Sequence, residues 1–332
     1  MAVGSPARCA PRQPKLAAIA LFLQRCFDAL ANGVIYSSIA LALVIVYRAT
    51  GMLNVAQGEM ATTSAYVALV LHTPATPALA GTGLVATLLP GTPWPLWASI
   101  IGALVAGAIV GAVIERLIIR RVEGRPPMSV IAVTVGMLLV LNGLTEGVWR
   151  PVVRGFPPLF PNRPADYLPI AGARLRANTI GTLLTVLFVL AVLVAVLRWT
   201  KLGLAFRGVS SNRTSSALAG VRVARVVTTG WALAGAIGGL AACLVAPIVL
   251  LEPQMMVRVL IYALVAATLG GLDSLLGAVI GGIAVGVFQT MIGGYVRFLG
   301  SDLSLPGALA LMVIVLIVKP TGLFGTPRIE RV

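Results

Sequence analysis

Between residues 27 and 318 the chain is a succession of uninterrupted apolar runs, most of them of membrane length, with the polar residues gathered between them. Crossing a hydrocarbon core of about 30 Å takes roughly 20 residues of helix. No water reaches that core, so only helices or closed barrels can satisfy the backbone inside it. The runs are continuous, not alternating, which excludes the barrel pattern. Composition agrees, with 58% apolar and 11% charged residues and a mean hydropathy of +0.99, values outside the range of a soluble domain with a polar surface. The fold class is therefore an all-α integral membrane protein, a polytopic bundle of about eight or nine transmembrane helices.

The candidate spans are 27–47, 52–71, 96–114, 128–148, 177–197, 226–251, 259–272, 275–296 and 305–318. Span 259–272 is short for a crossing, and residues 48–51 leave almost no loop between the first two. Each fits a broken or re-entrant helix, which needs protein or a water-filled cavity around its backbone. Residues 1–26 read as a polar tail and interfacial lead-in, 27–325 as one transmembrane domain with a cytoplasmic loop at 198–225, and 326–332 as a short tail. Neither a soluble domain nor a strong internal repeat is apparent.

The net charge of +15 lies mainly in loops, so membrane topology explains it and nucleic-acid binding does not. Lys201, Arg207, Arg213, Arg222 and Arg225 make 201–225 the basic loop, and a Lys/Arg excess marks the cytoplasmic side. Alternation puts 115–127, with Arg116, Arg120, Arg121 and Arg125, on the same side. It puts 149–176 outside, although that loop also carries arginines. Counting back over nine spans leaves the N-terminus outside against the preference of Arg8, Arg12, Lys15 and Arg25, a conflict removed if one weak span does not cross.

Chemistry-bearing residues are few. Cys9, Cys26 and Cys243 are widely spaced and imply neither a disulfide framework nor a metal cluster. His72, the one histidine, reads as an interfacial side chain, so no metal site is expected. The phosphate loop GxxxxGK[ST], paired histidines and a Ser/His/Asp set are all missing. The chain is expected to be no enzyme and to bind no cofactor, and energy from ATP must come through another polypeptide.

Polar residues inside apolar runs mark the interesting places. In 51–63, GMLNVAQGEMATT, Asn54, Gln57 and Gly58 share a helix face, with Glu59 beside it. A carboxylate at the centre of a membrane costs about 3 kcal/mol, so Glu59 should face the bundle interior, a partner or a water path. Translocation or gating and capping of a helix N-terminus both remain open for it. In 270–277, GGLDSLLG, Asp273 and Ser274 form a turn that caps the next helix. At membrane depth the same break would line the path instead. Rows of small residues, Ala103, Gly107 and Gly111, then Gly235 and Gly239, then Ala278, Gly282 and Gly286, allow helix backbones to approach closely. In the basic loop, Ser211 or Asn212 can cap a short helix through 216–219.

These patches, in this order, resemble the branched-chain amino acid permease family of ABC importers, over almost the whole of 27–325. Gly51, Asn54, Ala56, Gly58 and Glu59 meet a G-x-x-N-x-A-x-G-E signature, with Gln57 where a histidine is common. Residues 202–225 resemble the loop carrying the ABC coupling helix, 270–282 is similar to G-G-L-x-S-x-x-G-A-x-x-G-G, and 318–325, VKPTGLFG, resembles the family's ending. The coupling core departs from the family's E-A-A-x-x-x-G by lacking its acidic first residue.

The resemblance implies a multi-pass permease subunit of a bacterial inner membrane, forming the path for branched-chain or related amino acids. It implies a second permease subunit, more often a different one, two cytoplasmic ABC ATPases that use the ATP, and an extracytoplasmic substrate-binding protein. On this chain it places ATPase coupling at Arg207, Ser211, Asn212, Arg213, Thr214, Ser215, Ser216 and Gly220. The alternatives are an ATP-independent secondary transporter or channel using Glu59, and a purely structural assembly partner.

Overall fold

The computed structural model describes residues 14–73, 93–122, 124–162, 167–170, 173–295, 304–319 and 321–325. Its elements are α1 (Pro14–Thr50), α2 (Gln57–His72), α3 (Leu96–Val122), α4 (Pro127–Trp149), β1 (Tyr167–Ile170), β2 (Ala173–Arg176), α5 (Ala177–Trp199), α6 (Lys201–Ser211), α7 (Arg213–Leu218), α8 (Val223–Val249), α9 (Met255–Gly270), α10 (Leu275–Tyr295) and α11 (Ser304–Val318). Six of these, α1, α3, α4, α5, α8 and α10, are long and apolar enough to cross a membrane. With the shorter α2, α9 and α11 they coincide with the spans read from the sequence. The polytopic helical bundle is the fold. Cys9 and the ends 1–13 and 326–332 lie outside the described residues, as does most of the Pro-containing stretch between α2 and α3.

Helix α1 is the axis. Its most apolar window is 83% buried, against 22% for α4 and 28% for α5. Residues Ile39 to Val46 are apolar and buried on every side of α1, because α5, α8, α9 and α10 surround it. A helix that is hydrophobic all round has to be enclosed in this way. By contrast, α4 and α5 keep Leu139, Leu144, Leu184 and Phe188 more than half exposed, as lipid-facing helices do.

Small residues let the central helices touch. A Cβ placed on Gly107 would strike the carbonyl of Gly235, and one on Gly235 would strike that of Gly107. Gly111 faces the Trp231 carbonyl in the same crossing of α3 and α8, and Gly239 faces Ala103 and Ser64. In the crossing of α1 and α10, Gly282 lies on Ser37 and Gly286 on Gly33.

Several loops differ from the sequence reading. Span 52–71 is helical only from Gln57, because α1 ends at Gly51, whose φ of +74° suits a residue without a Cβ. Residues 14–26, read as a lead-in, continue α1. The 115–127 loop begins as helix: α3 carries on through a π-turn at Glu115–Ile119. That turn seats the buried Glu115 carboxylate against Arg120 at 3.0 Å and the Thr228 hydroxyl at 2.6 Å. The contact also joins the two basic segments at one end of the bundle. Opposite, the 149–176 loop holds an antiparallel hairpin of β1 and β2, fastened to α1 where the Arg174 amide donates to Gln24 Oε1 at 2.9 Å.

Two patches distant in sequence interlock. The Leu323 and Phe324 amides donate to the Leu269 and Gly270 carbonyls at 2.8 and 3.0 Å, so the VKPTGLFG ending caps α9 at the GGLDS turn. Gly271 and Gly322, both at positive φ, leave no room for a side chain there.

Overpacking the central crossing should cost about 1–3 kcal/mol. Gly235→Leu is expected to lower the melting temperature of the detergent-purified protein. Gly143→Leu, at a position where an added Cβ meets nothing within 4 Å, is expected to leave it unchanged.

Candidate functional site

The break between α1 and α2 creates the site. At Thr50 the hydroxyl donates to the Val46 carbonyl at 2.7 Å and accepts from the Met52 amide at 3.2 Å, which closes α1. Asn54 Oδ1 then accepts from the Ala56 amide at 3.1 Å, a side-chain turn that starts α2. Helix α2 rises about 24 Å over its length, less than the hydrocarbon thickness. It is buried almost all round, so protein shelters the irregular backbone that precedes it.

The break and the first turn of α2 carry the predicted polar residues, and all of them are buried. Asn54 Nδ2 donates to Gln57 Oε1 at 3.1 Å, and Gln57 Nε2 donates across to the Ala234 carbonyl of α8 at 2.9 Å. Gly238 provides the room for that amide. At Gly58, α2 and α9 meet: a Cβ would stand 3.2 Å from that of Met256. Glu59, 1% exposed, accepts from Asn142 Nδ2 of α4 at 3.4 Å. The same amide reaches the Pro253 carbonyl at 3.5 Å. Above it, the Thr63 hydroxyl lies 3.3 Å from that of Thr145.

Farther along α2, toward the end of the bundle away from the basic segments, Tyr66 stacks on Trp149, with ring centroids 5.0 Å apart and planes 23° apart. The Arg154 guanidinium stands 5.9 Å from the Tyr66 ring and donates to the Trp149 carbonyl at 2.6 Å. Gln254 donates to Glu146 at 3.3 Å.

At the opposite end lies a polar cavity of about 600 Å³ lined by Arg48, Thr50, Ser210, Ser211, Arg213 and Asp273, among others. Here Arg213 donates to the carbonyls of Ala49 and Thr50 at 3.2 and 3.0 Å. A guanidinium on the last carbonyls of a helix meets both their unfilled hydrogen bonds and the negative end of the helix dipole.

The basic loop is two helices. Thr200 caps α6, whose Gly203, Phe206 and Val209 are buried, while Arg207 points out. The Asn212 side chain accepts from the Ser215 amide at 2.9 Å and so caps α7. On α7, Ser216 packs against Gly208 of α6, whereas Thr214 and Ser215 are exposed and Leu218 is 86% exposed. Gly220, at φ +80°, ends the helix.

The structure thus gathers Asn54, Gln57, Gly58 and Glu59 into one buried group but leaves the other candidate break elsewhere. Asp273 lines the cavity beside Arg48 and Arg213. The Ser274 hydroxyl accepts from the Gly277 amide at 3.0 Å and caps α10. Sequence reasoning missed Asn142, Thr145, Glu146 and Trp149, although their i, i+3, i+4, i+7 spacing puts them on one face of an apolar helix. It also missed Tyr66 and Arg154, which nothing local distinguishes. Among the described residues, no three His, Cys, Asp or Glu side chains come together as metal ligands.

A family model described as "Branched-chain amino acid transport system / permease component" matches residues 26–318. The high-affinity branched-chain amino acid transport system permease protein LivH of Salmonella typhimurium is 28% identical over 323 residues, covering 94% of this chain and 98% of the relative. The corresponding permease protein BraD of Pseudomonas aeruginosa is 25% identical over 317 residues, with the same coverage. A probable LivH of Methanocaldococcus jannaschii is 26% identical over 309 residues.

Asn142→Leu leaves the Glu59 carboxylate buried without that donor and should cost about 1–3 kcal/mol. Adding Glu59→Leu is expected to recover part of the loss in thermal melts. Strictly additive losses would show that the two side chains do not interact.

Proposed function

Because the chain belongs to the branched-chain amino acid permease family, whose model spans residues 26–318, we propose that it is the membrane subunit of a bacterial inner-membrane ABC importer for branched-chain or related amino acids. It works beside a second permease subunit, with two ATPases at the α6–α7 end and a substrate-binding protein at the other. The observation that carries this reading is the placement of α7. One side of it offers a nearly bare Leu218, and the other side is tied through Arg213 to the end of the central helix.

A partner that grips α7 therefore pulls on the Ala49 and Thr50 carbonyls, and through them on the break that begins α2. The Asn54–Glu59 group sits on that break and moves with it. Contact alone does no work: ATP must bind the two positions of α7 with different affinity. In this mechanism Arg207, Asn212, Thr214 and Ser215 face the ATPase, Ser216 and Gly220 set the shape of α7, and Asn54, Gln57, Gly58 and Glu59 line the gated part of the path. Asp273, which lines the cavity, faces cargo on its way out. The chain supplies no nucleotide chemistry of its own.

Two substitutions separate gripping from pulling. Leu218→Asp is expected to lose the ATPases during purification. Arg213→Gln is expected to retain them and to hydrolyse ATP, but with uptake into vesicles reduced at least about tenfold, the scale of lost charge-assisted hydrogen bonds. Full uptake by Arg213→Gln would remove α1 from the coupling route. Uptake that persists in vesicles without ATP would favour a secondary transporter instead.

For Glu59, Glu59→Gln keeps the shape and removes the charge. Loss of uptake with normal membrane insertion is expected. Unchanged uptake and unchanged substrate-stimulated ATP hydrolysis would leave Glu59 as a packing group.

A further inference from the structure

The end of the bundle away from α7 holds polar groups that the fold does not use. The Tyr66 side chain is fully buried and Trp149 is 8% exposed, yet neither the Tyr66 hydroxyl nor the Trp149 indole N–H has a hydrogen-bond partner among the described residues. Both are donors, and a buried donor left unmatched is destabilising. Their rings stack, and the Arg154 guanidinium lies against the same pair. Two unmatched donors and a positive charge are thus carried by side chains packed against one another. Glu252, directly after the Leu251 that pairs with Arg154, acts on the Tyr66 hydroxyl by its charge, and half-buried Glu146 stands one helical turn before Trp149 on the same face of α4.

The backbone around this spot is strained as well. Arg150 and Leu250 leave α4 and α8 at φ +61° and +71°, rare for residues with a Cβ. Immediately beyond them the Arg154 and Leu251 backbones exchange hydrogen bonds at 2.9 Å in an isolated bridge. Strain of this kind persists only where surrounding contacts hold it, and it clusters at sites that bind or switch.

We propose that Tyr66, Trp149 and Arg154 form the entry subsite for cargo and receive the carboxylate of an α-amino acid, whose ammonium faces Glu252 and Glu146. The chemistry selects the class. Two neutral donors and a guanidinium match a carboxylate, while carboxylates close by oppose a simple anion such as phosphate and favour a zwitterion. When the Arg154–Leu251 bridge opens, an arriving amino acid supplies the acceptors that the closed form lacks. From this subsite the face of α4 carrying Thr145 and Asn142 leads inward to Glu59. The inference rests on the amino acid importer reading above and adds where such a cargo is first held.

Tyr66→Phe is the sharpest test, because a purely structural role predicts the opposite sign. Deleting an unmatched buried hydroxyl should leave stability unchanged or higher. In proteoliposomes carrying the whole importer, L-leucine uptake at saturating binding protein is expected to fall about tenfold for Tyr66→Phe and for Trp149→Phe. For Tyr66→Phe, ATP hydrolysis without substrate and the melting temperature are expected to stay at wild-type values. Wild-type uptake in both variants would overturn the subsite, as would uptake and melting temperature of Tyr66→Phe falling together. If the wild-type importer hydrolysed ATP yet moved no L-leucine, isoleucine or valine, the cargo reading would be what failed, and the subsite would fall with it.

Discussion

Hydrocarbon offers no hydrogen bonds, and the architecture follows from the need to keep one break in the backbone away from it. Between Thr50 and Gln57 the chain is not helical, so its amides and carbonyls need partners from elsewhere. The fold supplies them from several directions: Thr50 and Asn54 side chains within the break, Arg213 from α7, and a nearly complete jacket of helices around α2. The same jacket makes a buried carboxylate at Glu59 tolerable, with the Asn142 amide as its donor. A short helix bearing polar groups is thereby kept from lipid over almost its whole surface.

Close packing around that break is a matter of small residues. Glycine faces glycine across α3 and α8, and glycine meets serine and glycine across α1 and α10. Between lipid-bathed helices, association relies on van der Waals contact and hydrogen bonds, so these crossings set how near α1 and α8 lie to α2. The Gln57 amide reaches the Ala234 carbonyl only because Gly238 leaves it space. Packing and polarity are therefore one design at this point: a methyl group at Gly238 would displace a buried amide from its acceptor.

The polar positions also form an order along the bundle. Arg48, Arg213 and Asp273 stand at the α7 end, Asn54, Gln57 and Glu59 come next, then Asn142 and Thr145, and finally Tyr66, Trp149 and Arg154. Asn54, Gln57, Glu59 and Thr145 are buried, and the two ends are not alike. One end is an open polar cavity and the other is roofed by stacked aromatic rings.

Much of this was legible in the chain itself. Runs of about 20 apolar residues determine helices and a membrane, since no other backbone survives there. The glycine rows and the residues Asn54, Gln57 and Glu59 stand out locally for the same reason, because each is costly or weak in a helix unless something compensates. Capping by Asn212 and Ser274 was equally local. What the tertiary structure alone decided is which compensations are made: Asn142 opposite Glu59, Arg213 on α1, Tyr66 against Trp149, and Asp273 at the cavity instead of with Glu59. Those pairs join residues on different helices, and their partners depend on crossing geometry that hydropathy and spacing do not encode.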